Sequence, residues 1–440
     1  MSSWLKGDEA ALWRAAARVL DANWTGRGTV PSPGLYPHLW SWDSAFISMG
    51  LVRHDRSRAE RELLAVFRGQ WARGLVPHIV FHPELPRFGY FPGPDLWRSR
   101  SVPGTPRDLD TSGLTGPPLQ ALAALRLHQC ADAGDAERSR AFLARLYPLL
   151  TAQHRHLAEE RDIGGAGLAA ICHPWESGMD DSPSWDRPLS ALDLPPSRYA
   201  PLRPPGAGVT AGEDHDRYVR LVTLLRDARY EAGHLRDEHP FLAEDPLFNA
   251  AYLASTHALA EIARIIGRDP APHLEDAARI RRALLDRLWD GECFRVLDLR
   301  SGELIPTITV ASFGPLLDPE LPSPALRALV ELLLSARFSG AAGYPVPSCD
   351  LQSASFDPTR YWRGPTWVNT NWLLWLAASV HGLTIISDLL HGTTLRLVRQ
   401  SGFREYFDPF DGSGYGSHDY SWSAALVLDL LAARRASHAA

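Results

Sequence analysis

The chain has 440 residues and nearly balanced charge, with 45 Lys and Arg against 51 Asp and Glu, for a formal net charge of −6. Basic residues are not interleaved with aromatics, which argues against a nucleic-acid groove. No stretch approaches the roughly 18 consecutive apolar residues of a membrane span, and the N-terminal segment lacks the basic start of a signal peptide. The four cysteines are scattered without CxxC spacing, so we expect a reducing, cytoplasmic setting.

Apolar residues return every three or four positions in about a dozen segments, which predicts an all-α protein. Asp245-Pro246 is typical of a helix start and Gly402 of a left-handed helix end. Only residues 292–312, around Ser301-Gly302, indicate a β-hairpin, and the absence of a βαβ rhythm excludes most nucleotide-binding folds. The predicted helices are 8–24, 43–53, 57–70, 116–130, 135–160, 213–232, 246–267, 272–289, 322–337, 366–380, 385–400 and 421–435.

The connections alternate between short links and long ones that carry most of the Trp, Tyr, Gly and Pro clusters. In an up-and-down array, alternate links emerge at the same end, so the long links are expected to share one face. We therefore predict one (α/α)6 barrel over residues 1–440, with loops 71–115 and 161–212 as a possible cap or lid. A helical solenoid is the alternative, although no fixed repeat of 34 to 47 residues is visible. The long links are 25–42, 71–115, 161–212, 338–365 and 401–420.

Two aromatic-rich segments carry candidate catalytic carboxylates. HPWESGMDDSPSWD at 173–186 contains Asp180, and the segment FREYFDPFDGSGYGSHDYSW at 403–422 contains Glu405. Cleavage of a glycosidic bond needs one carboxyl group to protonate the leaving oxygen and another to activate water or attack carbon. Six predicted helices separate the two residues, and this even number allows them to meet. In the alternative interpretation, 173–186 is a solvated acidic loop and Glu405 a surface residue paired with Arg404.

Further aromatic motifs are candidates for a sugar subsite. LYPHLWSWD at 35–43, YFPGPDLW at 90–97 and RYWRGPTWVNTNW at 360–372 lie on or beside the predicted site face, where flat rings could hold a sugar. Ordinary core aromatics are the competing interpretation of the first two.

Other chemistries have less support in the sequence. P-loop, HExxH and GxSxG motifs are absent, and His78, His82 and Glu84 lack recognised zinc spacing. Asp180-Asp181 could belong to a diphosphate cyclase, which would show a Mg²⁺ requirement. A non-hydrolytic sugar-binding or sugar-isomerising barrel is the main alternative, and it would release no new reducing end.

HPWESGMDDSPSWD, RYWRGPTWVNTNWLL, YFPGPDLW and the closing SWSAALVLDLL resemble glycoside hydrolase family sixty-three, particularly its bacterial mannosylglycerate and glucosylglycerate hydrolases. The resemblance spans residues 30–430 in the same order. It implies an (α/α)6 barrel that hydrolyses small α-glycosides with inversion and uses neither metal nor organic cofactor. It also implies that Asp180 is the general acid and Glu405 the general base, with a small-molecule glycoside as partner and neither nucleic acid nor membrane.

The same resemblance implies the roles of the surrounding residues. Family members acting on glycerate glycosides tend to have Gln where this chain has Gly116, and an Arg-Pro near the position of Thr210-Ala211-Gly212. Both departures fall where a carboxylate-bearing aglycone would be held. The implied sugar subsite is Tyr36, Trp42, Asp43, Trp175, Trp362 and Arg363, with Trp367 nearby, and the implied aglycone side is His78, Tyr90 and Tyr361.

Overall fold

The computed structural model describes residues 3–85, 90–192 and 213–439. Helices dominate these ranges, and every segment predicted as a helix contains one. The helices are α1 (Ser3–Ala22), α2 (Ser41–Leu51), α3 (Arg56–Phe67), α4 (Pro94–Trp97), α5 (Gln120–Gln129), α6 (Ala136–Glu160), α7 (Asp186–Ser190), α8 (Glu213–Asp227), α9 (Ala232–Asp237), α10 (Pro246–Ile266), α11 (Ala271–Ala283), α12 (Ser323–Leu334), α13 (Val368–Val380), α14 (Thr384–Ser401) and α15 (Ser421–Ala439).

Six inner elements contact one another in a closed ring, in the order α2, α5, α10, the 3-10 helix Val310–Leu317, α13 and α15, which returns to α2. Each inner element has an outer partner, namely α3, α6, α11, α12, α14 and α1 respectively. This closure is the (α/α)6 barrel expected from the sequence, and it excludes an open solenoid. Every link from an outer to an inner element emerges at the same end of the barrel, which is where the long loops gather.

One assignment within the barrel was wrong. The sequence placed 213–232 among the barrel helices, whereas α8 packs against α4 outside the ring. The missing inner element is Val310–Leu317, all of whose residues are buried. Its sequence VASFGPLL contains Gly314 and Pro315, which disfavour an α-helix and hid this element from the periodicity analysis.

Local chemistry explains several boundaries. The Asp245 carboxylate accepts a hydrogen bond from the N–H of Phe248 at 2.7 Å, so it caps α10, whose first residue is Pro246. Gly402 ends α14 with a φ of +76°. Gly50 has no space for a side chain, because a Cβ there would lie 1.8 Å from the carbonyl oxygen of Ala425. The absence of a side chain at Gly50 therefore lets α2 and α15 approach closely where the barrel closes.

Short strand pairs lie at the loop end of the barrel. The ribbon of β1 (Leu39–Trp40) and β2 (Ile79–Val80) is antiparallel, as is the pair β6 (Tyr406–Phe407) and β7 (Gly414–Tyr415). The predicted hairpin consists of β4 (Leu297–Asp298) and β5 (Glu303–Leu304), and β3 (Ala243–Glu244) joins it as a third strand.

A second apolar cluster, separate from the barrel core, lies over the loop end. We call it the cap cluster; its members include Trp71, Trp97, Leu114, Cys172, Val222, Leu225, Tyr230 and Leu235. It joins the loops that follow α3 and α6 to α8 and α9. The departure at Thr210-Ala211-Gly212 and most of the second half of loop 161–212 lie outside the described residues.

Candidate active site

Glu405 is fixed at the loop end by donors from three chain segments. Its side chain is 1% exposed. The Tyr36 hydroxyl donates to Oε1 at 2.9 Å, the N–H of Ser417 donates to Oε2 at 2.9 Å, and Tyr361 is a further hydrogen-bond partner. Gly416, with a φ of +64°, permits this wrapping because a Cβ there would lie 2.4 Å from Oε2. Burial raises the pKa of Glu405 to about 7, although the three donors oppose that rise.

Asp180 lies in a tight turn after the 3-10 helix Pro174–Ser177. Its neighbour Asp181 has a φ of +60°, and the N–H of Asp181 donates to the Tyr218 hydroxyl at 3.0 Å. Burial raises the pKa of Asp180 to about 7, and the negative charges of Glu405 and Asp181 contribute to that rise. Within the described part of the chain, the backbone N–H of Asp180 itself is the one hydrogen-bond partner that lowers this pKa. The structure therefore brings Asp180 and Glu405 into one electrostatically coupled site.

The other three carboxylates of segment 173–186 are engaged in ion pairs. Asp181 receives Arg360 Nε at 2.8 Å and Arg360 Nη2 at 2.7 Å, with Arg363 Nε at 3.3 Å. Arg363 also pairs with Asp186, its Nη1 lying 2.9 Å from Oδ2. The guanidinium of Arg363 thus fastens the Asp180 loop to the segment that carries Tyr361.

Glu176 is completely buried beneath this loop. Arg161 Nη1 lies 2.9 Å from its Oε2, while the N–H groups of Cys172 and Thr115 donate to it at 2.7 and 2.9 Å. Burial alone would raise the pKa of Glu176, but the charge of Arg161 and these donors lower it. Glu176 therefore remains ionised and joins the loop after α6 to the loop before α5.

Stacked tryptophans lie behind Tyr361. The rings of Trp362 and Trp367 are parallel, with centroids 3.9 Å apart, and they are 1% and 0% exposed. Trp367 Nε1 donates to the carbonyl of Tyr361 at 3.1 Å, and Tyr361 has a φ of +37°. These two indoles hold Tyr361 against Tyr36 and Glu405, and they present almost no surface to solvent.

The start of α2 contributes Trp42 and Asp43. The Tyr420 hydroxyl donates to Asp43 Oδ1 at 3.3 Å, and burial raises the pKa of Asp43 well above its usual range, with Glu405 and Asp180 adding to the rise. No described residue accepts a hydrogen bond from the buried indole N–H of Trp42. This N–H is therefore a spare donor at the start of α2, next to Asp43.

A second group of aromatics borders the site. His78 Nδ1 lies 2.6 Å from Ser112 Oγ, and burial lowers the pKa of His78 to about 3, so the ring is neutral. Its ring stacks with Trp175 at a centroid distance of 6.2 Å. Burial raises the pKa of the Tyr90 hydroxyl, as does the negative charge of Asp180, which places Tyr90 near Asp180.

The sequence analysis did not name Ser417, Tyr420 or Tyr218 as site residues. Ser417 and Tyr420 lie inside the aromatic segment 403–422, so that segment was the available signal. Among the described residues, one group of potential metal ligands occurs, Asp290, Glu292 and Cys293, and it lies in the hairpin region away from this site. None of the helices in the described ranges is long and apolar enough to cross a membrane.

Comparisons with known proteins converge on one family. Residues 36–423 match the model of the mannosylglycerate hydrolase MGH1-like glycoside hydrolase domain. The mannosylglycerate hydrolase of Rubrobacter radiotolerans is 40% identical, covering 97% of this chain and 99% of that protein. The glucosylglycerate hydrolase of Mycolicibacterium hassiacum is 36% identical, covering 94% and 96%.

A solved structure is also similar throughout. The family sixty-three mannosylglycerate hydrolase of Thermus thermophilus, in complex with Tris and D-glycerate, superposes with a TM-score of 0.86 at 39% identity, covering 95% of this chain and 99% of that one. These relatives are all named hydrolases, which does not favour the non-hydrolytic barrel.

Proposed function

Since the chain belongs to the mannosylglycerate hydrolase MGH1-like glycoside hydrolase family, and is an inverting glycosidase of small α-glycosides, we propose that Asp180 and Glu405 are its catalytic acid and base. Asp180, protonated, donates to the glycosidic oxygen as the bond to the anomeric carbon breaks. Glu405, ionised, takes a proton from the water that attacks that carbon from the opposite face. The products are the free sugar with inverted anomeric configuration and the aglycone alcohol.

The number of hydrogen-bond donors supports this assignment of roles. Both carboxyl groups are enclosed and repel each other equally, but three donors stabilise the ionised form of Glu405, whereas the pKa of Asp180 is lowered by its own backbone N–H and raised by the negative charge of Asp181. We therefore assign the proton that the two groups share to Asp180. Inversion requires room for the water, so we expect the carboxyl groups to lie about 6.5–9.5 Å apart with substrate bound.

Variants that keep shape and remove the ionisable group test this proposal. Asp180→Asn and Glu405→Gln should each abolish sugar release, while thermal unfolding stays close to wild type. Glu331→Gln and Asp388→Asn, on exposed helix surfaces, are matched controls that should retain full activity. NMR of the first-formed anomer reports inversion directly. More than a tenth of wild-type turnover in either site variant contradicts the assignment.

We assign the sugar subsite to Tyr36, Trp42 and Asp43. We assign the N–H of Trp42, which no described residue accepts, to one sugar hydroxyl, and Asp43, which accepts from Tyr420, to another. Trp175 and Tyr90 border the same space, and His78 lines the aglycone side as a neutral ring. Trp362, Trp367 and Arg363 act by positioning Tyr361 and the Asp180 loop. Trp42→Phe, which removes only the donor and some ring area, should raise KM far more than it lowers kcat.

Gly116 bears on the aglycone. A Cβ at Gly116 would lie 3.2 Å from Ser41 Oγ, 3.8 Å from the Cβ of His78 and 3.9 Å from the Cβ of Trp42, so this position lies between the two subsites. A glutamine there would need only a small shift of Ser41 and would present an amide donor to a carboxylate. We expect Gly116→Gln to raise turnover of mannosylglycerate and glucosylglycerate relative to α-linked glucose disaccharides. If the substitution leaves the ratio of these two turnover rates unchanged, Gly116 does not determine which aglycone is accepted.

We infer that the cap cluster covers the pocket that contains Asp180 and Glu405. Tyr230, at the end of the α8 segment, donates its hydroxyl to the carbonyl of Trp97, and α4 packs against α8. We assign to this cap the exclusion of bulk water, which strengthens the electrostatic coupling of the two carboxyls. Binding of glucose should then slow amide hydrogen exchange in residues 90–115; exchange that is unaltered argues against a cap function.

A reducing, cytoplasmic location is the last part of the proposal. All four cysteines are free thiols, and Cys172, Cys293 and Cys349 are buried. Thiol titration of the denatured protein isolated from its native host should therefore find four thiols in each chain. Fewer thiols would indicate oxidation and an oxidising compartment.

A further inference from the structure

A cavity of about 410 Å³ lies behind the β1–β2 ribbon. Leu39 pairs with Val80 and Trp40 with Ile79, so each pair shares one face of the ribbon. Leu39 and Val80 line the cavity. Trp40, on the opposite face, contacts the rings of Tyr36 and Tyr90 at centroid distances of 5.5 and 5.6 Å. The ribbon therefore separates this cavity from the catalytic site, and its volume falls in the range of about 300–1,000 Å³ that is usual for small-molecule sites.

The lining combines an apolar floor with a cationic rim. Leu64, Phe67, Phe81 and Leu149 extend the floor, and four arginines line the rim. Among the described residues that line the cavity, none is acidic. This concentration of positive charge beside apolar surface gives the cavity an attraction for anions, although the net charge of the chain is −6.

The four arginines make only weak interactions with the described part of the chain. Arg27 pairs with Glu84 at 3.3 Å and Arg68 with Asp108 at 3.2 Å, and all four of these side chains are well exposed. Such surface pairs contribute only about 0–1 kcal/mol. Arg61 lies over the ring of Trp24 at 5.0 Å and donates to a single carbonyl at 3.4 Å. Arg145 is exposed, with no ion pair or hydrogen bond in the described ranges.

Hydrogen bonds to a buried carboxylate behind the cavity hold its walls in place. Glu62 is buried, and it accepts from the N–H of Thr29 and the hydroxyl of Ser44, both at 2.7 Å. These bonds fix the loop that contains Gly28, which packs directly on Leu39. The cavity is thus preformed, which reduces the entropy lost when a ligand binds.

We propose that this cavity is a second ligand site, distinct from the catalytic one, for an organic anion with an apolar body. The hydrocarbon part lies on the floor formed by Leu39, Leu64 and Phe67. The anionic head meets the guanidinium groups of Arg61 and Arg145.

Calorimetric titration of the full chain with octanoate tests this inference. We expect one octanoate per chain, with butanoate and octylammonium each at least tenfold weaker, because the first lacks the apolar body and the second the negative charge. The double variant Arg61→Gln/Arg145→Gln should weaken octanoate binding at least tenfold. Arg187→Gln/Arg264→Gln, which alters two exposed arginines elsewhere, should bind octanoate like wild type.

A steric variant provides a second readout. Ala65 is half-buried on α3 and lines the cavity, so Ala65→Trp should fill it and abolish binding while sugar release continues. Equal binding of octanoate and octylammonium would overturn the proposal, as would unchanged binding by the double variant. Loss of octanoate binding in saturating glucose would place the ligand in the catalytic pocket and would also overturn it.

Discussion

Removal of the Tyr36 hydroxyl should move the acidic limb of the pH–rate profile upward. That hydroxyl donates to Glu405 Oε1 at 2.9 Å, and Ser417 and Tyr361 are the partners that remain after Tyr36→Phe. The donor stabilises the ionised carboxylate, so its loss raises the pKa of Glu405. Because the general base must be ionised, activity falls as pH drops below that pKa, and a higher pKa moves the loss of activity to higher pH.

The size of the shift follows from the hydrogen bond. A hydrogen bond to a charged group contributes about 1.5–3 kcal/mol, and one pKa unit corresponds to about 1.36 kcal/mol. The carboxyl group is 1% exposed, so solvent screens little of this contribution. Since two other donors remain, we expect the lower end of the range, an upward shift of about one unit.

The assay is the pH dependence of kcat/KM, which reports the pKa values of the free enzyme. Tyr147→Phe is the matched control, because the Tyr147 hydroxyl pairs with His273 at 2.8 Å between the outer helices α6 and α11. That variant should leave both limbs unchanged. If Tyr36→Phe lowers kcat/KM equally at every pH, Tyr36 acts on the substrate and does not tune the pKa of Glu405, and our interpretation of this contact is wrong.

Two further predictions concern stability. Gly50→Ala should lower the free energy of unfolding by several kcal/mol, on the order of an overpacked core, because its Cβ would collide with the backbone of Ala425. The measurement is a urea titration. In the same titration Gly34→Ala should be nearly neutral, because a Cβ there meets nothing within 4 Å. Arg161→Met leaves the buried carboxylate of Glu176 unpaired and should cost about 3–5 kcal/mol; a loss of only about 1 kcal/mol, the size expected for a surface pair, would show that the pair is not structural.

The sequence determined the helices and the architecture to a large extent. The 3.6-residue period of the outer barrel helices reflects burial of one face, and this pattern is local. The inner helix α2, by contrast, is buried along its whole length. The N-cap at Asp245 and the positive φ at Gly402 are equally local, since they depend on single residues. The alternation of long and short links predicted a common loop end, and the structure brings Asp180 and Glu405 together there.

The tertiary structure decided which elements close the barrel and which carboxylate remains available. The period of α8 showed that one face is buried, but it did not show that this face packs on α4. Asp180, Asp181 and Glu176 lie in one short segment, where the family resemblance singled out Asp180 but local composition did not. They differ because partners distant in the chain, Arg360 and Arg161, neutralise two of them and leave Asp180 beside Glu405. Periodicity records the burial of a residue relative to its neighbours along the chain, whereas ion pairs and pKa values depend on groups that only folding brings within a few ångströms.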